Sequence, residues 1–300
     1  MKFPFISFMS YRHFGLGLSV LLILGSLALI GVRGFNVGID FAGGTLVEIG
    51  SSEAIDLAEV RTRVNDLGLG DVQVQAFGAQ NDAIIRVGSL DGVGNVAETI
   101  EQSLQDLVKD LSIRRVEMVG PKVGAELVET GIWAVVAALA GILLYVWFRF
   151  DTAFGLASIV ALLHDVLLTL GFFSLLQLDF NLSVVAAILT IAGYSINDTV
   201  VVFDRIRENL RRYKKKLLTD VIDQSLNETL SRTVVTSLTT LLALIALFVF
   251  GGEVLSGFVS ALIIGVLVGT YSSLFVASPI LLLIGVHRGD EEDEIKRDAT

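Results

Sequence analysis

The chain has 300 residues, of which 53% are hydrophobic and only 18% are charged, whereas a soluble protein carries about 25% charged residues. The formal net charge is −10 and the mean hydropathy is +0.72. These values exclude a disordered chain, a nucleic-acid binder and an ordinary cytosolic enzyme, and they indicate an integral membrane protein. The chain has no cysteine and only three histidines, so a thiolate nucleophile is excluded and no zinc site is expected.

The first long apolar run, residues 14–32, contains no charged residue and has the length of a membrane helix. It lacks the small-residue cleavage site of a secretory signal peptide, so we expect an uncleaved signal anchor. Residues 1–34 are therefore predicted to be an N-terminal segment followed by membrane helix 1.

Residues 35–126 are predicted to form one folded domain outside the membrane. Short β-rich runs alternate with two runs of helical apolar spacing, in the ferredoxin-like order β-α-β-β-α-β. No histidine and no nucleophile beside a base occurs in the segment, which favours a mechanical or binding role over chemistry. The predicted strands are 45–50, 71–77, 83–87 and 113–119, the helices are 56–67 and 94–110, and 78–82 is a turn.

Two glycine-rich runs flank this domain. The run FNVGIDFAGGT, residues 35–45, precedes it, and the run VGPKVG, residues 119–124, follows it. Glycine allows tight turns and close backbone approach, and it also allows hinge motion. Both interpretations are open for the residues that define the two runs: Gly38, Asp40, Gly43, Gly44, Gly120 and Pro121.

Five further apolar runs lie within residues 127–286 and are predicted to be membrane helices 2–6. The last run is too long for one upright helix, so we expect it to tilt, with a kink at Pro279. The fold class predicted is a polytopic α-helical membrane protein with six transmembrane helices and one α+β ferredoxin-like extracytoplasmic domain between helices 1 and 2. The five runs are 131–148, 153–178, 182–203, 233–250 and 254–286.

Charge asymmetry predicts the orientation. Residues 204–232 hold eight Lys and Arg residues against five acids, whereas the short loops 177–181 and 251–253 hold no Lys or Arg. The positive-inside rule then places both termini and this basic loop in the cytoplasm, with an acidic cytoplasmic tail at 287–300. The basic loop is expected to be an amphipathic helix on anionic lipid, with a docking face for a cytoplasmic partner as the alternative.

Ionisable residues inside the apolar runs are candidate functional residues, because a charge at the bilayer centre costs roughly 2.5–3.5 kcal/mol on insertion scales. Asp198 lies in the fourth run, Asp165 lies beside His164 in the third, and Arg232 lies at the start of the fifth. Helical spacing predicts one polar face on the fourth run and another on the fifth. The first comprises Thr190, Tyr194, Asn197 and Asp198, and the second Thr229, Arg232, Thr233, Thr236 and Thr240.

These faces predict a hydrated path in which an aspartate takes up and releases a proton, with Arg232 as the nearby cation. Three structural alternatives stay open. Asp198 could lie at the membrane interface, Asp165 and His164 could be a static hydrogen-bonded pair, and Arg232 could be a positive-inside anchor.

Three motifs resemble one family. They are FNVGIDFAGGT at 35–45, VGPKVG at 119–124 and GYSINDTVVVFDRIREN at 193–209, and together with the six-helix layout they resemble the SecF proteins of the RND superfamily. The resemblance implies an accessory subunit of the bacterial protein-export machinery in the inner membrane. It implies that Asp198 and Arg232 occupy the family's charged positions, with Asp165 as a further member of the proton path.

The resemblance also implies partners. Such proteins pair with SecD and, with the SecYEG channel and SecA, use the proton-motive force to promote translocation of an unfolded polypeptide; YidC is a further candidate partner. The chain has one six-helix bundle, whereas RND transporters work with twelve helices, so a SecD partner is expected to complete the unit. No cofactor, no metal and no nucleic acid is expected, and Na⁺ could replace H⁺.

Three other classes of function fit the sequence less well than protein export. A small-molecule or lipid exporter of RND type would need larger exported domains than one of under about 100 residues. A scaffold or signalling protein would not need charged residues in its membrane helices. An enzyme is the least expected class, since the sequence shows no metal-ligand cluster, triad or nucleotide loop.

Overall fold

The computed structural model describes residues 4–88 and 95–286, so the predicted acidic tail at 287–300 lies outside the described residues. Six helices are long and apolar enough to cross a membrane, and they match the six predicted runs in number and order. They are Phe8–Arg33, Pro121–Arg149, Thr152–Leu176, Leu182–Arg212, Leu218–Phe250 and Ser256–Ile284. A small α+β domain lies between the first and the second, which confirms the predicted fold class.

The elements are labelled in chain order. The α-helices are α1 (Arg12–Arg33), α2 (Ile39–Ala42), α3 (Leu57–Asn65), α4 (Val96–Leu104), α5 (Pro121–Arg149), α6 (Thr152–Leu176), α7 (Leu182–Arg212), α8 (Leu218–Phe250), α9 (Ser256–Ser272) and α10 (Ser278–Ile284). The strands are β1 (Asn36–Val37), β2 (Gly44–Gly50), β3 (Val72–Phe77), β4 (Ala79–Val87), β5 (Ser112–Val119) and β6 (Asp179–Phe180).

The domain is built on one antiparallel sheet of order β3-β4-β2-β5, which is the ferredoxin-like arrangement. Its core is a cluster of buried side chains between one face of the sheet and α3 and α4. Asp56 caps α3, because its carboxylate accepts hydrogen bonds from the backbone N–H groups of Ala58 and Glu59. The predicted turn at 78–82 is shorter than expected: β4 already begins at Ala79, and Gly78 alone makes the turn with φ +70°.

The structure of residues 204–232 differs from the one predicted. It is not a separate amphipathic helix, because α7 continues to Arg212 and α8 begins at Leu218. Charged residues stop an apolar run but do not stop a helix, so both membrane helices extend beyond their apolar parts. Arg205 stabilises this extension through ion pairs with Glu208 and Glu228, each at 2.6 Å.

The domain contacts the bundle through the short segment that joins α6 to α7. Strand β1 pairs in parallel with β6, and the Gly38 amide donates to the Phe180 carbonyl at 2.9 Å. Arg86 of the sheet, which is buried, forms an ion pair with Asp179. The domain is therefore attached to the helix pair α6 and α7 as well as to its own chain connections.

The last membrane helix changes geometry near Pro279. Residues Ser273–Ala277 form a π-helical turn between α9 and α10, and Pro279 lies in the first turn of α10. Proline has no backbone N–H to donate to the carbonyl four residues earlier. The irregularity expected at Pro279 is thus a π-helical turn that directly precedes it.

Candidate functional site

Asp198 lies well inside the bundle. It is on α7, about 24 Å along the axis from Leu182, the first residue of that helix. Only 6% of Asp198 is exposed. Its carboxylate accepts one hydrogen bond from the Thr233 hydroxyl of α8 at 3.1 Å and another from the Ser273 hydroxyl of the π-helical turn at 3.2 Å.

Asp165 is the second buried carboxylate and lies near the middle of α6, with no exposed surface. One of its oxygens lies 2.8 Å from Nδ1 of His164. The other accepts hydrogen bonds from Ser195 of α7 and from Ser272 of α9, the latter at 2.7 Å. Three helices thus converge on this side chain through hydroxyl and imidazole groups.

His164 and Tyr271 extend the Asp165 cluster to α1. The two rings stack with centroids 6.1 Å apart, and the Tyr271 hydroxyl donates to the Gly15 carbonyl at 2.7 Å. The His164 Nε2 atom is buried and has no hydrogen-bond partner. His164 therefore contacts Asp165 through Nδ1 alone.

Arg232 does not touch Asp198 in the structure. Its side chain lies on the exposed side of α8, and no ion pair joins these two described residues. The neighbouring residue, Thr233, is the α8 side chain that reaches Asp198.

The predicted polar faces of α7 and α8 are each divided. Asp198 and Thr233 face the interior, whereas Thr190, Asn197 and Thr236 are exposed. On α7 the predicted face runs from the exposed Thr190 and Asn197 through the half-buried Tyr194 to the buried Asp198, so it lies across the edge of the bundle interior. The exposed residues Asn197, Arg232 and Thr236 are called the polar strip, and they are separate from the buried cluster around Asp198.

The two glycine-rich runs lie side by side at the base of the domain. Gly44 pairs with Val119 across β2 and β5, and a Cβ on Gly43 would come within 3.3 Å of Pro121. Gly43 and Gly44 both have positive φ, and a Cβ on Gly124 would meet the Phe41 carbonyl at 3.2 Å. Positive φ and close approach therefore account for these glycines.

Asp40 and Gly120 complete the base. The Asp40 carboxylate accepts a hydrogen bond from the Leu182 amide at 2.9 Å, at the N-terminus of α7, where negative charge is favourable. Gly120 directly precedes α5, and Pro121 is the first residue of that helix. The membrane helix therefore starts six residues earlier than the predicted boundary at 127.

The motifs gathered at these positions match known families. Residues 99–287 match the family described as protein export membrane protein SecD/SecF, C-terminal, and residues 28–55 match the SecD/SecF GG motif. The protein translocase subunit SecF of Rickettsia bellii (strain OSU 85-389) is 47% identical over 279 residues, which are 92% of each chain. This chain belongs to the SecF family of protein translocase subunits.

Further SecF relatives show the same extent of similarity. The protein translocase subunit SecF of Haemophilus influenzae is 44% identical over 288 residues, covering 96% of this chain and 89% of the relative. The crystal structure of SecDF, a translocon-associated membrane protein from Thermus thermophilus, superposes with a TM-score of 0.87 at 36% identity. This chain covers 39% of that SecDF chain, and 95% of this chain is matched.

Membership of the SecF family favours protein export over the small-molecule exporter and the scaffold considered from the sequence. Within residues 4–88 and 95–286, no group of three or more His, Asp or Glu side chains is placed to hold a metal ion. The chemistry that the buried cluster offers is the binding of a proton or a small cation by carboxylates among hydroxyls.

The serines of the site were missed by the sequence analysis. Ser195, Ser272 and Ser273 donate to the two carboxylates, yet serine is common in membrane helices and no spacing distinguishes these three. The one signal available was that Ser272 and Ser273 are adjacent and lie seven and six residues before Pro279.

Proposed function

We propose that this SecF-family chain is the accessory half of a protein translocase that uses the proton-motive force to promote export of unfolded polypeptides. The observation that carries the proposal is Asp198, a carboxylate buried in a membrane helix and held by two hydroxyls from other elements. Placing a carboxylate in a membrane helix costs free energy, so such a residue is a functional candidate. The Asp198 carboxylate can exist either charged or protonated.

Motion of charge supplies the energy in this proposal. One proton that moves through 100 mV delivers about 2.3 kcal/mol. When Asp198 gains or loses a proton, its hydrogen bonds to Thr233 and Ser273 and its attraction to Arg232 change, and α7 and α8 shift relative to one another. Asp165 and His164 provide further positions on the proton path, and Asn197 lies at its exposed side.

The exposed polar strip supports a SecD-type partner in the membrane. Arg232, Asn197 and Thr236 are exposed at membrane depth, where a charged side chain facing lipid is unfavourable. A second helix bundle that packs on α7 and α8 would cover the strip and bring its own residues to the proton path. This chain covers only about two fifths of the SecDF structure, so the larger part of that structure is left for a SecD-type partner.

The proposed location is the bacterial inner membrane, with the domain outside and both termini in the cytoplasm. The basic residues cluster at the end of α7, and Arg149 ends α5 on the same side, opposite the domain. The SecYEG channel, SecA and YidC are the further partners that this placement allows. Neither catalysis nor a cofactor is part of the proposal.

The test uses the chain and its SecD-type partner in sealed vesicles with a translocation intermediate stalled in the channel. An imposed proton gradient is expected to speed completion with the unmodified chain and to have no effect with Asp198→Asn. The matched control is Asp204→Asn on the same helix, because Asp204 is only partly buried and its ion pair with Arg149 lies outside the buried cluster. A normal response of Asp198→Asn to the gradient contradicts the proposal.

A further inference from the structure

Two adjacent serines each contact one of the buried carboxylates. Ser272 is the last residue of α9 and Ser273 is the first residue of the π-helical turn, and both are fully buried. The Ser272 hydroxyl lies 2.7 Å from Asp165, and the Ser273 hydroxyl lies 3.2 Å from Asp198. Neighbouring residues of one helix thus contact carboxylates that belong to two other helices.

Each of these hydroxyls has a second acceptor within reach. Ser272 lies 3.1 Å from the Gly269 carbonyl, and Ser273 lies 3.0 Å from the Thr270 carbonyl. A serine hydroxyl carries one proton, so it donates fully to the carboxylate or to the carbonyl, not to both. A charged carboxylate is the stronger acceptor, and a protonated carboxyl competes less well. The orientation of each hydroxyl therefore depends on the charge of its aspartate.

The backbone at this point departs from a regular α-helix. The π-helical turn Ser273–Ala277 begins at the second serine, and the Ser278 hydroxyl donates to the Ser273 carbonyl at 2.9 Å. Single π-helical turns occur frequently at functional sites. Because a side-chain hydroxyl bonds the Ser273 carbonyl, this residue is fixed to the turn on one side and contacts Asp198 on the other.

We propose that Asp165 and Asp198 are one linked pair of proton-binding sites, coupled through Ser272 and Ser273. The ligand is a proton, which adds to a carboxylate oxygen and gives a neutral carboxyl group. Uptake at one aspartate releases its serine to the backbone carbonyl and changes the hydrogen bonding of the adjacent serine at the other aspartate. The two serines are positioning residues, which act through the aspartates. The linked pair rests on the proposed function, because proton-driven export is what the pair would serve.

Other ionisable groups face the pair and set its surroundings. His164 on α6 and Tyr271 on α9 adjoin Asp165, while α1 contributes the Gly15 carbonyl and the Ser19 hydroxyl to Tyr271. Arg232 on α8 acts on Asp198, and Tyr194 lies on α7 one residue before Ser195. The link proposed here is the backbone between Ser272 and Ser273, whose hydroxyls contact Asp165 and Asp198 respectively.

The direct test measures protonation rather than export. In the full chain in lipid vesicles, the infrared carbonyl band of each protonated aspartate is followed against pH and assigned with Asp165→Asn and Asp198→Asn. Sites that interact strongly titrate as a pair, so Asp198→Asn is expected to move the Asp165 midpoint by about one pH unit. In the Ser272→Ala, Ser273→Ala double variant this displacement is expected to disappear.

Two variants keep the test specific. Ser272→Thr with Ser273→Thr retains both hydroxyls and is expected to restore the coupling. Ser174→Ala removes a serine that is equally buried but donates only to the Gly34 carbonyl, and it is expected to leave the coupling unchanged. An Asp165 midpoint that responds equally to Asp198→Asn with and without the two serines overturns the proposal.

Export assays separate this proposal from the one on which it rests. The double serine variant is expected to lose stimulation by the proton gradient, as Asp198→Asn does. If Asp198→Asn keeps that stimulation while the infrared coupling is present, proton-driven export is wrong and the linked pair stands. If Asp198→Asn loses it and the coupling does not need the serines, the linked pair is wrong and proton-driven export stands.

Discussion

Asp165 is the residue with the most concentrated set of buried hydrogen bonds in the site. It accepts from His164, Ser195 and Ser272 and has no exposed surface. Interhelical hydrogen bonds in membrane proteins contribute about 0.6 kcal/mol each on average. The side chain therefore has a measurable effect on stability whether or not it also binds a proton.

Replacing Asp165 by alanine is expected to destabilise the chain by about 1 kcal/mol, since two interhelical hydrogen bonds, to Ser195 and Ser272, are lost at about 0.6 kcal/mol each. Asp165→Asn, which retains an acceptor oxygen, is expected to lose less. Unfolding of the purified chain in mixed detergent micelles measures the difference. Equal stability of Asp165→Ala and the unmodified chain contradicts the hydrogen-bonded arrangement.

Residue patterns in the sequence were enough to find the aspartates but not the groups that hold them. A carboxylate in an apolar run stands out because its insertion is costly, so Asp165 and Asp198 could be predicted as candidates. Serine at the same depth carries no such cost, so the roles of Ser272 and Ser273 require the packing of three helices to be known. A contact between Asp198 and Arg232 depends on how α7 and α8 are rotated about their axes. Residue spacing shows which residues share a face but not which neighbour that face is turned toward.

At the scale of the elements, close packing between α1 and α6 depends on one glycine. A Cβ on Gly171 of α6 would clash with the Cα of Ser26 at 2.9 Å, which is backbone and cannot move independently of α1. Gly141 of α5 is the matched case, because a Cβ there would meet nothing within 4 Å.

Gly171→Ala is expected to destabilise the chain by about 1–3 kcal/mol, the usual cost of overpacking, and to separate α1 from α6. Gly141→Ala is expected to be neutral or slightly stabilising, since alanine favours the helix. The same unfolding measurement in micelles compares the two. A loss of stability in both variants would show that the effect does not come from the α1–α6 contact.

The attachment of the domain to the α6–α7 connection is tested through Arg86. Arg86→Ala leaves Asp179 without its ion-pair partner and is expected to weaken the β1–β6 pairing. Hydrogen exchange of the Gly38 amide, which donates to Phe180, should then accelerate about tenfold, the factor that corresponds to 1.4 kcal/mol. Arg63→Ala is the control, since its ion pair with Asp106 is exposed.

Unchanged exchange at Gly38 in Arg86→Ala would mean that the strand pairing holds the domain without the ion pair. The sequence analysis left turn and hinge interpretations open for the glycine runs and did not predict this attachment. Alternating polarity reveals strands of a sheet, but β1 and β6 have two residues each and lie 142 residues apart at Val37 and Asp179. Such a short pairing carries no local signal.

At the scale of the whole molecule, the fold class followed from the sequence because hydrophobic length and strand order are strong signals. The arrangement of exposed faces did not follow, because every membrane helix is apolar on most sides. The membrane parts of α5 and α8 are little buried within the chain. Each of these two helices therefore presents a large surface to lipid or to a partner.

A partner on the polar strip is tested by crosslinking, and the absence of cysteine from the chain makes single-cysteine variants possible without a background. Thr236→Cys on α8 is expected to crosslink to the SecD-type partner in native membranes. Leu21→Cys on α1, where Leu21 is 66% exposed, is the control and should not. Crosslinking from α1 but not from α8 would place the partner on the opposite face.

Orientation is tested with the same approach. If the domain lies outside, Ala58→Cys on α3 should react with a membrane-impermeant maleimide added outside intact cells, because Ala58 is exposed. Lys215→Cys, between α7 and α8, should react only after the membrane is permeabilised. The reverse pattern contradicts the proposed placement of the domain outside.

The connection between Arg86 and Asp179 has a consequence for loads that act on the domain. Asp179 lies in the segment that joins α6, the helix of Asp165, to α7, the helix of Asp198. Coupling free energy between two sites is reciprocal, so if proton binding displaces these helices and moves the domain, a pull on the domain changes proton affinity by the same free energy. A polypeptide that pulls on the domain would then slow or speed proton uptake. The export rate would therefore depend on the resistance of the polypeptide being exported.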